Sequence, residues 1–60
     1  MPAEVQKLLD ERENLRKDKK FAEADKIRKK IIEMLEKNTK IVALIKQNER
    51  IQIIKWLKYG

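Results

Sequence analysis

The chain lacks the two residue types on which most protein metal sites and many active sites depend. It contains no cysteine and no histidine, which excludes disulfides, thiolate zinc sites and the usual general base. Its one glycine, Gly60, and its one proline, Pro2, lie at the two ends of the sequence, so no internal glycine-rich loop is available to cradle a phosphate. These absences predict a protein that is not an enzyme and that binds no metal or cofactor.

Long apolar runs are absent as well. No stretch approaches the roughly 20 apolar residues that a membrane-spanning helix needs, and the first residues lack the pattern of a signal peptide. We therefore expect a soluble, cytoplasmic protein. A chain of 60 residues has room for one small hydrophobic core. We expect a single small domain over 1–60, which could also be a part of a larger parent protein.

Basic residues are in excess, and they are unevenly distributed. The chain has 16 basic and 10 acidic side chains, for a net charge of +6. Residues 37–60 carry six of the basic side chains but only one acidic one, Glu49. This asymmetry indicates that the second half faces a polyanion. We favour nucleic acid over a membrane surface, and the alternative is a solvated surface that keeps a small domain soluble.

Apolar residues recur at helical spacing along the first part of the chain, in two stripes. The first stripe consists of Val5, Leu8, Leu9 and Leu15. The second consists of Phe21, Ala24, Ile27, Ile31, Met34 and Leu35. These stripes predict helices over about 3–17 and 21–37, joined by a tight turn at 18–20. They fold into an antiparallel helical hairpin over 3–37, with Phe21 plugging the end beside the turn.

Three charged residues lie close to these apolar stripes. Arg12 occupies a position where another apolar residue is expected, and the closed hairpin places it opposite Asp25. We favour a structural ion pair between Arg12 and Asp25 that fixes the register of the two helices. Arg28 has two interpretations, because its planar guanidinium could hold the structure together or bind a phosphate or a base.

Residues 39–59 have two competing interpretations. As a helix, the segment would begin at Thr39 as its N-cap, but its apolar residues would lie on every side, because the stripe slips after Asn48. As strands, residues 40–46 and 50–59 are rich in β-branched and aromatic residues and flank a polar turn. We favour a β-hairpin packed on the helical hairpin, which is an α+β fold, over a third helix, which would give a three-helix bundle.

Aromatic and basic residues alternate near the C-terminus, where Trp56 and Tyr59 are interleaved with Lys55 and Lys58. Single-stranded RNA is bound by such mixtures, because bases stack on aromatic rings while lysines neutralise the phosphates. The alternative is that Trp56 covers a small core and the lysines extend from it into water. Both interpretations remain open for Tyr59.

The segment "PAEVQKLLDERENLRKDKKFAEADKIRKKI" resembles the start of the anticodon-binding domain of bacterial-type cysteinyl-tRNA synthetases. The matching positions are Pro2, Glu4, Val5, Leu8, Arg12, Arg16, Lys17, Lys19, Phe21, Ala24, Asp25, Ile27 and Arg28. The resemblance implies a β-hairpin after the helical hairpin, with Trp56 in place of the family's tryptophan. It also implies a non-catalytic module that binds tRNA or another RNA. The expected RNA-binding residues are Arg16, Arg28, Lys55, Trp56, Lys58 and Tyr59.

The sequence departs from that family at several points. Asn38 and Thr39 stand where the family usually has a glycine, the later segments are longer and more apolar, and the synthetase's catalytic motifs are missing. The F-x-x-A-x-x-I-R core at 21–28 is also similar to the UVR helical hairpin, which binds proteins. The alternative function is therefore a protein-interaction or structural module, which could be homodimeric, and a designed or chimeric small domain would fit the same pattern.

Overall fold

The chain is all-helical. A computed structural model describes residues 1–59, and it is 86% helical with no strand in that range. The elements are α1 (Ala3–Lys17), α2 (Phe21–Lys37), α3 (Thr39–Leu44) and α4 (Gln47–Tyr59). The predicted α+β fold with a β-hairpin over 39–59 is therefore wrong, and the helical alternative holds in a modified form, with two short helices in place of one. No helix in the described part of the chain is long and apolar enough to cross a membrane.

The core lies at the end of the helical hairpin that is remote from its turn. α2 is the central helix, since α1, α3 and α4 each pack against it. Val5, near the start of α1, packs with Ile31 and Leu35 in the second half of α2, so α1 and α2 are antiparallel. The buried cluster consists of Val5, Ile31, Leu35, Ile41, Ile45 and Leu57. Phe21 lies outside this cluster and is 60% exposed, so the prediction that it plugs the turn end is wrong.

The turn of the hairpin is a Schellman motif. The backbone N–H of Lys20 donates to the carbonyl of Leu15 over 2.8 Å, and that of Lys19 donates to Arg16 over 3.0 Å. This pair of bonds satisfies carbonyls of the last turn of α1. Lys19 has a φ of 62°, the only positive φ among the described non-glycine residues. A lysine thus occupies the left-handed position that glycine usually fills.

A break after α3 separates the last two helices. Asn38, not Thr39, is the N-cap of α3, because its Oδ1 accepts from the backbone N–H groups of Lys40 and Ile41 at 3.1 and 3.2 Å. Ile45 has extended backbone angles, φ −120° and ψ 136°, which end α3. Because of this break, α4 starts in a new orientation, and its apolar side does not continue that of α3. For this reason the apolar residues of 39–59 do not follow one continuous stripe.

α2 and α4 exchange hydrogen bonds between arginine side chains and backbone carbonyls. Arg28 on α2 donates from Nη1 to the carbonyl of Leu57 at 3.3 Å, and Arg50 on α4 donates from Nη1 to the carbonyl of Leu35 at 3.3 Å. Leu57 and Leu35 each lie in or beside the last turn of their helix, where carbonyls lack an intrahelical donor and the helix dipole favours a cation. Each helix therefore caps the C-terminal end of the other.

Candidate nucleic-acid interface

Two adjoining clefts open near the turn end of the helical hairpin, and together we call them the arginine cleft. One, of about 110 Å³, lies between α1 and α2 and is lined by Arg12, Arg16, Phe21, Ala24, Asp25 and Arg28. The other, of about 350 Å³, lies between α1 and α4 and is lined by Arg12, Glu13, Arg16, Lys17 and Trp56. Arg12 and Arg16 belong to both parts, because residues four apart lie on the same face of a helix.

Arg12 is the buried centre of the arginine cleft. It lies on the core-facing side of α1 and is only 6% exposed. Its guanidinium carbon lies 4.8 Å from the centroid of the Trp56 ring, which is a cation–π contact. Burial lowers the pKa of Arg12, and the nearby charges of Arg16 and Arg28 lower it further, while Glu13 opposes them. The guanidinium nevertheless stays charged at neutral pH, because arginine is not deprotonated in proteins.

The predicted ion pair between Arg12 and Asp25 is not formed. Instead, Oδ1 of Asp25 accepts from Nε of Arg28 at 2.9 Å and also from its Nη2, and Oδ2 lies 3.4 Å from Nζ of Lys29. All three residues belong to α2. The hydrogen bond from Arg28 is the main cause that lowers the pKa of Asp25. Asp25 thus organises charges along its own helix, and the structure gives it no role in fixing the register with Arg12.

The structure brings three of the six predicted RNA-binding residues to the arginine cleft. Arg16 is exposed and lines both parts. Arg28 is partly buried, and its guanidinium is held by Asp25 and Leu57. Trp56 is 52% exposed, so it is more open than a residue that only covers a core.

The other three predicted residues, Lys55, Lys58 and Tyr59, are not among those that line the cleft. Lys55 and Tyr59 are exposed and lie four residues apart on the outward side of α4. Lys58 reaches back to α2, where its Nζ lies 3.6 Å from Oε1 of Glu36.

Four residues of the arginine cleft were not predicted to line a site: Glu13, Lys17, Phe21 and Ala24. Lys17 lines the same part of the cleft as Trp56, and Phe21 lines the part between α1 and α2. The one available signal was Arg12, a charged residue on the apolar stripe with Arg16 four residues later. The aromatic partner of Arg12 lies 44 residues away in sequence on α4, and spacing alone does not reveal such a contact. Within the described residues, no group of three or more carboxylates is arranged to hold a metal ion.

The protein is thus a small helical domain with a cleft in which Arg12 and Arg16 lie between two aromatic residues, Phe21 and Trp56. The family model of the cysteinyl-tRNA ligase anticodon binding domain matches residues 1–34. Because this match covers more than half of the chain, the protein belongs to that family, which confirms the resemblance seen in the sequence. Searches of curated proteins and of solved structures give no significant match. The match ends within α2, so α3 and α4, including Trp56, lie outside it.

Proposed function

We propose that this protein is a non-catalytic RNA-binding module that binds the anticodon loop of a tRNA in the arginine cleft. The observation that carries the proposal is the flanking of Arg12 and Arg16 by two half-exposed aromatic rings, Phe21 on one side and Trp56 on the other. Membership of an anticodon-binding family supports a tRNA as the RNA.

In the proposed complex, aromatic rings bind the bases and basic side chains bind the phosphates. Unpaired bases stack on Phe21 and on the open part of the Trp56 indole, and such stacking contributes roughly 1–3 kcal/mol per base. Arg16 and Lys17 are exposed beside these rings and contact the phosphates between the stacked bases. Arg12 is buried, so it acts by holding the indole in place and by adding positive potential to the cleft.

Asp25 provides hydrogen-bond acceptors for a base in the same cleft. Its side chain is 43% exposed, and its pKa is lowered by Arg28, so the carboxylate is ionised at neutral pH. Carboxylate oxygens have several lone pairs, which lets Asp25 accept from the amino group of a base while it keeps its bonds to α2. Lys55 and Lys58 extend the basic surface along α4 toward flanking nucleotides, and Tyr59 adds an exposed aromatic ring there.

A titration with a cysteine tRNA transcript tests this proposal. Trp56 is the only tryptophan, so its fluorescence reports directly on the cleft. We expect a change in emission and a micromolar or tighter Kd that weakens as salt is raised. A transcript with an altered anticodon should bind more weakly, whereas equal affinity would indicate binding without anticodon recognition and would contradict the proposed site.

Two variants of α1 make the titration specific for the arginine cleft. Arg16→Gln should weaken binding and reduce its salt dependence, because Arg16 lines both parts of the cleft. Lys7→Gln is the matched control, since Lys7 is exposed and projects from a different side of α1. If wild type shows no salt-dependent binding in the micromolar range, the proposal is wrong.

A second candidate function is a protein-interaction module that acts as a homodimer. The observation that favours it is the exposure of two large apolar side chains, Leu44 and Ile51, on either side of the break between α3 and α4. Sedimentation without RNA tests it. We expect a dimer at micromolar concentration that Leu44→Gln dissociates, and a strictly monomeric wild type would exclude this candidate.

A further inference from the structure

We infer that Arg28 is a positioning residue, which shapes the arginine cleft by holding α4 in place and not by contacting RNA. Its guanidinium is already engaged on two sides. Nε and Nη2 donate to Asp25, and Nη1 donates to the carbonyl of Leu57 at 3.3 Å. These contacts use three of the five N–H donors. Because Nε and Nη2 both donate to Asp25, the edge that would bind a phosphate through these two nitrogens is already committed.

The carbonyl of Leu57 is an effective anchor point on α4. It lies in the last turn, where backbone carbonyls lack intrahelical donors and carry the negative end of the helix dipole. The Leu57 side chain is buried in the core at the same place. The hydrogen bond from Arg28 and the burial of Leu57 together fix the rotation of this turn. Trp56, the preceding residue, is thereby directed toward Arg12.

Asp25 aims the guanidinium of Arg28. Because Nε and Nη2 both donate to Oδ1 of Asp25, the remaining nitrogen, Nη1, points toward α4. Lys29 holds the other carboxylate oxygen at 3.4 Å. A series of contacts therefore runs from Asp25 through Arg28 and Leu57 to the indole, and it connects the family-matched hairpin to the helix outside the match.

The first arm of the test uses the protein without RNA. Arg28→Gln removes the charged donor, and we expect greater quenching of Trp56 fluorescence by acrylamide and a weaker near-ultraviolet circular dichroism signal from the indole. Arg28→Lys, which keeps the charge and one donor, should restore part of both signals. Lys30→Gln is the control, because Lys30 is exposed on the same helix. Far-ultraviolet circular dichroism checks that every variant stays helical, and an indole unchanged in helical Arg28→Gln would overturn the inference.

The second arm measures RNA binding and rests on the proposed function. We expect Arg28→Gln to weaken binding of the cysteine tRNA transcript about five- to tenfold, through a displaced stacking surface. Its salt dependence should stay that of wild type, whereas loss of a direct phosphate contact lowers the salt slope by about one. A slope reduced as in Arg16→Gln would overturn the inference. If wild type binds no tRNA, the proposed function fails, and the first arm still decides the role of Arg28.

Discussion

A double-mutant cycle can measure the free energy that the contact between Arg12 and Trp56 contributes to stability. We consider Arg12→Gln and Trp56→Leu, made singly and together. A cation–π contact contributes about 0.5–1 kcal/mol when exposed and about 2 kcal/mol when removed from water. Arg12 is 6% exposed and the indole is 52% exposed, which places this contact between the two limits. We expect a coupling free energy of about 1 kcal/mol.

The single substitution of Arg12 cannot give this value by itself. Its guanidinium is largely buried and makes no salt bridge within residues 1–59, so the folded state carries a desolvation penalty that Arg12→Gln partly relieves. Loss of the contact with Trp56 acts in the opposite direction. The net change in the free energy of unfolding should therefore be smaller than the coupling, which only the cycle isolates.

Urea unfolding followed by helical circular dichroism at pH 7 is the assay for the four proteins of the cycle. A parallel cycle with Arg16→Gln and Trp56→Leu is the control, because Arg16 lines the same cleft but is exposed. We expect its coupling to be near zero. The reasoning is refuted if the coupling between Arg12 and Trp56 is also zero, or if the two cycles give the same value.

Further predictions concern the turn, a helix cap and acid stability. Lys19→Gly should stabilise the domain by about 1 kcal/mol, because glycine tolerates the φ of 62°. Thermal melting should show a Tm that is higher by about 4–8 °C. Lys20→Gly is the control, since Lys20 has a negative φ, and it should not raise the Tm. Asn38→Ala should destabilise by about 1 kcal/mol through loss of the α3 cap, and equal loss in Thr39→Ala would contradict this assignment. Asp25→Asn should be less stable than wild type at pH 7. Since the pKa of Asp25 is lowered in the folded state, its stabilisation is complete above an unfolded-state pKa of about 3.9 and is lost as the pH falls through the lower folded-state value. Urea unfolding should therefore show a smaller deficit near pH 3, and an undiminished one would contradict the role of the carboxylate.

The helical hairpin could be predicted from the sequence because the spacing of apolar residues within each segment is enough to indicate a helix. The apolar stripes of 3–17 and 21–37 repeat at helical spacing, and α1 and α2 have these bounds. Phe21 was misplaced for a physical reason. The Schellman turn closes the hairpin with backbone bonds alone, so no aromatic plug is required, and the ring stays in solvent.

Residues 39–59 could not be predicted correctly, because their structure is decided by packing on α2. The β-branched residues of this segment favour strands, and no glycine or proline marks a helix end there. The break at Ile45 lets Ile41, Ile45 and Leu57 all reach the same buried cluster. Tertiary burial of that kind overrides local propensity, and it also explains the slip of the stripe after Asn48.

The arginine cleft was only partly visible in the sequence. Arg12 stood out as a charge on an apolar stripe, and the segment that resembles the family contains every lining residue of the cleft except Trp56. The partners of the charged residues depended on the position of α4, which the β-hairpin interpretation had removed. Closure of the helical hairpin predicted that Arg12 faces Asp25, whereas in the structure Arg12 contacts the indole of Trp56 on α4.

The crossed arginine bonds between α2 and α4 bear on how this small domain opens. Isolated helices fray from their ends one turn at a time, but here each terminal turn is held by a side chain of the other helix. Detachment of α4 breaks both bonds and exposes Leu57 in a single event, so backbone amides at the ends of α2 and α4 should exchange with solvent together.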